Sequence, residues 1–355
     1  MAPKKLLVLL GGSIFAPLLL ELGFRMLEST LGVDEKGLES TRALICDGNL
    51  GKYAPHPYTS FVRTNNSFGF IDPEWKVERT SGVPRILCMG GSTTEGGNSR
   101  GRVGAYPYLL EQGLEKRCGR DFEVFNAGMS FWTSAELLVA WFLILQDLQP
   151  DVLVIHSGIN DCAPRVWPGY RPDYRHYRRS LCPPCFSPQR RFLTRWSDLY
   201  AWLQLSSNTV DIAELASYPL RGPTEFARTG KLDPATAHSF RRNIESICDS
   251  AQAHGVRVLL MTVPLQPETE ETLRTSGHYF AGVAEHNVIL RELAREKGWL
   301  LADAARIDEL DRERRTSLFV SIAHVTPEGN QMKADYILGA LAEDWPPQLG
   351  SYPGR

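Results

Sequence analysis

Four short stretches of this 355-residue chain carry the residue types that acyl transfer needs: a hydroxyl nucleophile, an imidazole to take its proton, and N–H donors for a developing oxyanion. Ser92 follows Gly90 and Gly91 at the end of the short run Arg85 to Met89. A buried strand is therefore predicted to run into a tight glycine turn that presents the hydroxyl. Gly128 closes Asn126-Ala127-Gly128, where a missing side chain would expose a backbone N–H. Asn160 stands in Gly158-Ile159-Asn160-Asp161, with an amide that can donate. His324 lies just before Thr326-Pro327, a helix-start signal. Each residue also has a plainer reading. Ser92 or Thr93 can cap a helix, Gly128 and Asn160 can simply form turns, and His324 can be a helix-start residue without chemistry. His156 reads as a strand histidine with its hydrogen bonds satisfied, and Asp161 as a brace for its loop.

Positioning those residues requires strands that end at one rim. Arg85 to Met89, Phe122 to Phe125, Asp151 to His156, Val256 to Val263 and Trp299 to Ala302 read as five strands. Tyr106 to Cys118, Thr133 to Leu148, Phe240 to His254, Phe280 to Lys297 and Pro327 to Ala342 read as the helices between and after them. Strands alternating with helices predict an α/β domain, a parallel sheet covered on both faces. In such sheets ligands sit beyond the carboxyl ends of the strands, where Ser92, Gly128 and Asn160 all fall.

Together the four stretches resemble the SGNH hydrolases, the GDSL-like lipase and acylhydrolase superfamily. Gly90-Gly91-Ser92 is similar to its nucleophile block, with Gly91 where an aspartate usually stands. Asn126-Ala127-Gly128 resembles the glycine block, Gly158-Ile159-Asn160-Asp161 the G-x-N-D block, and His324-Val325-Thr326-Pro327-Glu328-Gly329 the histidine block. The resemblance covers about residues 83–345. It implies a flavodoxin-like three-layer α/β/α domain with a five-stranded parallel sheet. In that domain Ser92 attacks an ester carbonyl, His324 is the base, and the Ser92 and Gly128 N–H groups with Asn160 form the oxyanion hole. In one respect the chain departs from the pattern: the position three residues before the histidine, usually aspartate, is Ser321. A serine can hydrogen-bond the imidazole but cannot balance its charge. The site is expected to be a Ser–His dyad with Ser321 beside it, or to draw a carboxylate from elsewhere. Asp303, at the end of the fifth strand, is the nearest candidate, with Asp308 and Asp311 behind it.

The remaining sequence bounds the setting. A formal charge of −2, with 43% apolar and 23% charged residues, gives no global pull toward nucleic acid and excludes both a disordered chain and a polytopic membrane protein. Leu6 to Phe24 is an apolar stretch of 19 residues preceded by Lys4-Lys5 and interrupted by Pro17 and Glu21. At about 1.5 Å per residue it nearly spans a hydrocarbon core of roughly 30 Å. The preceding lysines place the amino terminus inside and everything after Arg25 outside. A cleaved secretory signal is the rival reading, though no small-x-small site follows Leu20. The expected organisation is an anchor or signal segment over 1–26, an extension rich in turn formers over 27–82, the hydrolase-like domain over 83–345 and a tail over 346–355. An insertion over 163–231 interrupts the domain, with arginines from Arg165 to Arg195 interleaved with aromatics. It reads either as a solvated, partly helical insertion or as a lid over the rim. Seven cysteines cannot all pair within one chain. Cys182 and Cys185 suggest a local disulfide, and no second pair stands near enough to make a zinc site.

The expected function is a membrane-anchored, extracytoplasmic esterase or acyl transferase acting on an O-acyl group. It would need neither metal nor other cofactor, and its partners would be an ester-bearing small molecule, lipid or glycan and the membrane, without nucleic acid. The alternative from another class, prompted by the missing aspartate, is a catalytically weak binding domain of the same fold for envelope glycan or lipid.

Overall fold

The computed structural model describes residues 16–27, 30, 31, 33, 66–96, 101–167, 169–180, 188–206 and 232–350. These fall into two compact units. One holds 16–27 and 188–206, and the other holds the sheet and everything packed on it. The expected disulfide pair, Cys182 and Cys185, lies outside the described residues. Among the described residues, no helix is long and apolar enough to cross a membrane. Of the apolar stretch, only 16–24 falls within them, as part of helix α1 (16–27).

The larger unit is built on five parallel strands: β1 (Arg85–Gly90), β2 (Glu123–Gly128), β3 (Val152–His156), β4 (Arg257–Met261) and β5 (Leu300–Ala302), in the order β2-β1-β3-β4-β5. The helices of this unit are α2 (Ser92–Glu95), α3 (Tyr106–Cys118), α4 (Ser134–Leu143), α5 (Cys162–Val166) and α6 (Arg175–Ser180). They continue, after α7 (Pro188–Trp196) and α8 (Asp198–Ser206) of the smaller unit, with α9 (His238–Ala253), α10 (Glu270–Lys297), α11 (Arg312–Ser317) and α12 (Pro327–Glu343).

Strand periodicity explains why one sheet serves two cores. Leu87, Met89, Phe125, Leu153, Ile155 and Leu260 face one way, onto α4, α9 and α10. Ile86, Cys88, Val124, Val154 and Leu259 face the other way, onto α3 and α12. Ile86 through Met89 are wholly buried, and each such aliphatic or Met side chain contributes roughly 1.5–3 kcal/mol. A single truncation such as Leu87→Ala would cost about 2–5 kcal/mol. Helix starts follow their capping residues. Thr133 closes a reciprocal capping box with Glu136 at the head of α4, and Thr326 caps α12 ahead of Pro327. Compared with the sequence expectation, β2 runs three residues further, to Gly128. The α4 helix stops at Leu143 before a separate 3-10 turn over Leu145–Leu148, and α10 begins ten residues earlier, at Glu270. That early turn carries its own cap, Thr269, and joins the rest of α10 through non-helical backbone at Ser276 (φ −142°, ψ 17°).

The chain runs from β1 outward to β2, then returns to the far side of β1 for β3. The reversal opens a crevice at the carboxyl ends of β1 and β3, and the residues that follow those two strands carry Ser92 and Asn160.

Candidate active site

Ser92 opens α2 directly after β1, and two close approaches dictate glycine around it. A side chain at Gly90 would stand 2.1 Å from Thr94 Oγ1 and 2.3 Å from the His156 carbonyl, so only glycine lets β1 turn this tightly. At Gly91 an added Cβ would lie 2.7 Å from Asn160 Nδ2. The Asn160 amide thus occupies the space an aspartate at position 91 would need.

His324 sits in a closed loop. Thr326 N–H donates to the Leu318 carbonyl (2.8 Å), Val320 N–H to the His324 carbonyl (2.9 Å), and Phe319 pairs with Val325 as an isolated bridge. Its ring bonds on both sides, with Nε2 2.8 Å from Ser92 Oγ and Nδ1 2.8 Å from Ser321 Oγ. If Ser92 donates to Nε2, the proton of the neutral ring sits on Nδ1 and is donated to Ser321 Oγ, which is the tautomer a general base requires. Burial first, and the Lys333 charge second, hold His324 below its ordinary value of 6.5, so the ring is neutral at pH 7.

Asn160 donates to the Trp132 carbonyl (2.8 Å), which uses one of its two amide hydrogens. Its loop is fixed from beneath. Asp161 is fully buried and accepts from the Ser134 N–H (3.0 Å) and the Tyr174 hydroxyl (3.1 Å), bracing the loop to α4 as expected. Burial raises its pKa to about 6 against the pull of those bonds. His286, on α10, contacts the Gly158 carbonyl through Nδ1 (2.7 Å) and Arg165 through Nε2 (3.1 Å). Burial and the Arg165 charge depress it to about 3. The neutral ring therefore donates to Gly158 and accepts from the guanidinium.

Gly128 and Asp303, the other candidate site residues, bond elsewhere in this structure. The Gly128 N–H donates to Asn126 Oδ1 (3.0 Å), and a Cβ at Gly128 would come within 2.1 Å of Glu95 N. The glycine is there so that β2 can lie against the backbone of α2, and its N–H is occupied. Asp303 accepts from Thr262 Oγ1 (2.8 Å) and from Arg291 Nε (3.0 Å) and Nη2 (2.8 Å). Asp308 pairs with Arg315, and Asp311 caps α11. All three carboxylates are committed away from His324, whose second nitrogen meets Ser321. His156 is a buried strand residue at the end of β3. Burial and the Lys333 charge keep it well below 6.5.

Lys333 was not legible as a site residue. It lies on α12, nine residues after His324, and is almost fully buried. Its Nζ donates to the Thr93 carbonyl (2.7 Å) and stands 5.3 Å from the centre of the Tyr106 ring. Burial lowers it to about 7. Asn330, Ala334, Ile337, Leu338 and Leu341 are all buried on this helix. A lysine in register with that stripe is the signal that would have found it. Among the described residues, no group of acidic, histidine or cysteine side chains could hold a metal ion.

Five parallel strands covered by helices on both faces define an α/β architecture, in which a serine on a strand-end glycine turn is bonded to a histidine from a distant loop. Residues 88–332 match the model of the GDSL-like lipase/acylhydrolase family, and the chain belongs to that family and is an ester-bond hydrolase. Similar solved structures include LAE5, an alpha/beta hydrolase enzyme from the metagenome of Lake Arreo, Spain. It is 18% identical with a TM-score of 0.45, over 76% of this chain and 97% of that one. A GDSL-like lipase from Bacteroides thetaiotaomicron is 16% identical with a TM-score of 0.41, over 73% and 88%. A catalytic mutant of Axe2, an acetylxylan esterase from Geobacillus stearothermophilus, is 16% identical with a TM-score of 0.45, over 73% and 94%. No curated protein matches.

Proposed function

We propose that the chain is a serine esterase or acyl transferase acting on an O-acyl group, with Ser92 as nucleophile, His324 as general base and Ser321 as the group that orients the imidazole. The observation that carries this reading is the continuous Ser321–His324–Ser92 relay, with both contacts at 2.8 Å. Ser92 Oγ attacks the acyl carbonyl as its proton passes to His324 Nε2. The oxyanion is met by the Ser92 N–H, in the first turn of α2, and by the second hydrogen of the Asn160 amide. Collapse returns the proton to the leaving alkoxide and leaves acyl-Ser92. His324 then takes the proton of the acceptor, water or another hydroxyl, as it attacks acyl-Ser92, and returns that proton to Ser92 Oγ as the acyl group leaves on the acceptor. No step calls for a cofactor. The substrate class is an ester-bearing small molecule, lipid or glycan. The Lys4-Lys5 pair before the apolar stretch Leu6 to Phe24 supports a membrane-anchored protein with this domain on the extracytoplasmic side.

One observation favours a second reading, a weakly catalytic binding domain. A serine faces His324 Nδ1 where a carboxylate would balance the imidazolium, and Lys333 adds a positive charge. Turnover of p-nitrophenyl acetate separates the two. Hydrolysis that Ser92→Ala abolishes supports the enzyme. A folded protein without turnover, whose affinity for a glycan or lipid survives Ser92→Ala, supports the binding domain.

A further inference from the structure

The small helical unit is arranged opposite to a water-exposed one: its polar side chains bond to one another, and several of its large apolar side chains point out. Glu21, the carboxylate inside the apolar stretch, accepts from Ser197 Oγ (2.7 Å), Asp198 N (2.7 Å) and Leu199 N (3.2 Å) at the head of α8. Arg25 bridges Glu21 (3.0 Å) and Asp198 (2.9 Å). Between α7 and α8, Arg190 donates to Gln204 (2.5 Å), which donates to Thr194 Oγ1 (2.6 Å). Phe24 meets Trp202 at 5.5 Å. Outside, Leu18, Leu19, Leu20 and Leu22 are 60%, 65%, 64% and 56% exposed, and on α7 Phe192 and Trp196 are 63% and 66% exposed. Phe192 and Trp196 are one helical turn apart and share a face.

We propose that α7 and α8, part of the arginine-rich insertion, form a second membrane-contacting element that docks on α1 through Glu21 and lays Phe192 and Trp196 into the headgroup–acyl boundary of the bilayer. This rests on the reading that the apolar stretch Leu6 to Phe24 lies in a membrane. The commitment to lipid follows from three features. A carboxylate within a membrane-inserted helix needs a partner, and the head of α8 supplies one. The exposed leucines of α1 belong to the same apolar stretch of sequence, Leu6 to Phe24, that is read as lying in the bilayer. Tryptophan with neighbouring arginine, as in Arg195-Trp196, is the composition that settles at a membrane interface. These two helices therefore fix the depth of the small helical unit at the membrane.

The test uses the full chain mixed with vesicles of phosphatidylcholine and phosphatidylglycerol whose acyl chains are brominated near the headgroup. The fluorescence that Trp196→Phe removes is isolated as a difference spectrum. The expected result is flotation with the vesicles and a Trp196 emission that the bromolipid quenches and aqueous iodide does not. Flotation with a Trp196 emission open to iodide and untouched by bromolipid overturns the proposal while leaving the anchor standing. Shielding from both quenchers points to a second copy on this face and also overturns it. Failure to float removes the anchor reading itself, and this proposal with it. Phe192→Trp adds an independent reporter with the same expected quenching, so the outcome does not hang on the Trp196 variant folding.

Discussion

At the scale of single residues, the unusual feature is a base with no carboxylate behind it. Ser321 can hold the His324 tautomer but contributes no charge, and Lys333 works against the imidazolium. Because the pKa of His324 is lowered, the neutral base persists below pH 6.5, and the acid limb of kcat/KM should fall at a pH under that value. Ser321→Asp restores the counter-charge; it should move the acid limb upward and preserve or raise kcat, which a pH–rate profile reads directly. Lys333→Met removes a buried cation and should raise the titration midpoint of His324, measurable by NMR of the ring protons even without turnover. An unchanged midpoint would mean that the ammonium has no electrostatic hold on the site. Asp303→Asn tests the other branch. With Asp303 bound to Arg291 and Thr262, the variant should lose stability yet keep kcat within a few-fold. Loss of a triad carboxylate, by contrast, costs about 10⁴-fold in the serine-protease case.

At the scale of elements, the parallel strands and most helices were legible because short continuous apolar runs and capping residues are local signals. Two features were not legible, and both depend on what lies across space. Gly128 reads in sequence as an exposed N–H, but its purpose is set by α2, whose backbone would collide with any side chain there. Gly128→Ala should therefore destabilise by about 1–3 kcal/mol or more, as overpacking does, seen as a lower urea midpoint with an unchanged slope. A midpoint equal to that of the unmodified chain would contradict the close approach of β2 and α2. The early turn of α10 was missed because its cap, Thr269, precedes a polar segment without apolar periodicity. Of the four motif stretches, those of Ser92 and His324 are brought within hydrogen-bond distance by the fold. The sequence left the histidine's partner open between Ser321 and Asp303, because spacing does not give a side chain's reach across space; Lys333, His286 and Arg165 likewise emerge only when α12 and α10 are placed against the loops.

At the scale of the whole molecule, several histidines are buried neutral. His286 is held near 3 and His278 near 4, while His156 and His324 also lie below 6.5. The unfolded chain binds protons at these sites near pH 6.5 and the native one does not. Their contribution to stability is full above about pH 6.5 and is lost as the pH falls toward 4 and 3. Asp161, raised to about 6, and Asp308, also raised by burial, act in the opposite direction above their ordinary value, but they are two groups against four. Urea midpoints should fall between pH 6.5 and 4; a flat profile would show that these rings are accessible to protons in the native state. The central claim, that Ser92 is the covalent nucleophile activated by His324, is tested most directly by labelling the folded chain with a fluorophosphonate and locating the adduct by mass spectrometry. The expected result is one adduct on Ser92, absent from Ser92→Ala and slowed by orders of magnitude in His324→Ala. Labelling that persists in folded Ser92→Ala, or an adduct on another residue, would contradict it.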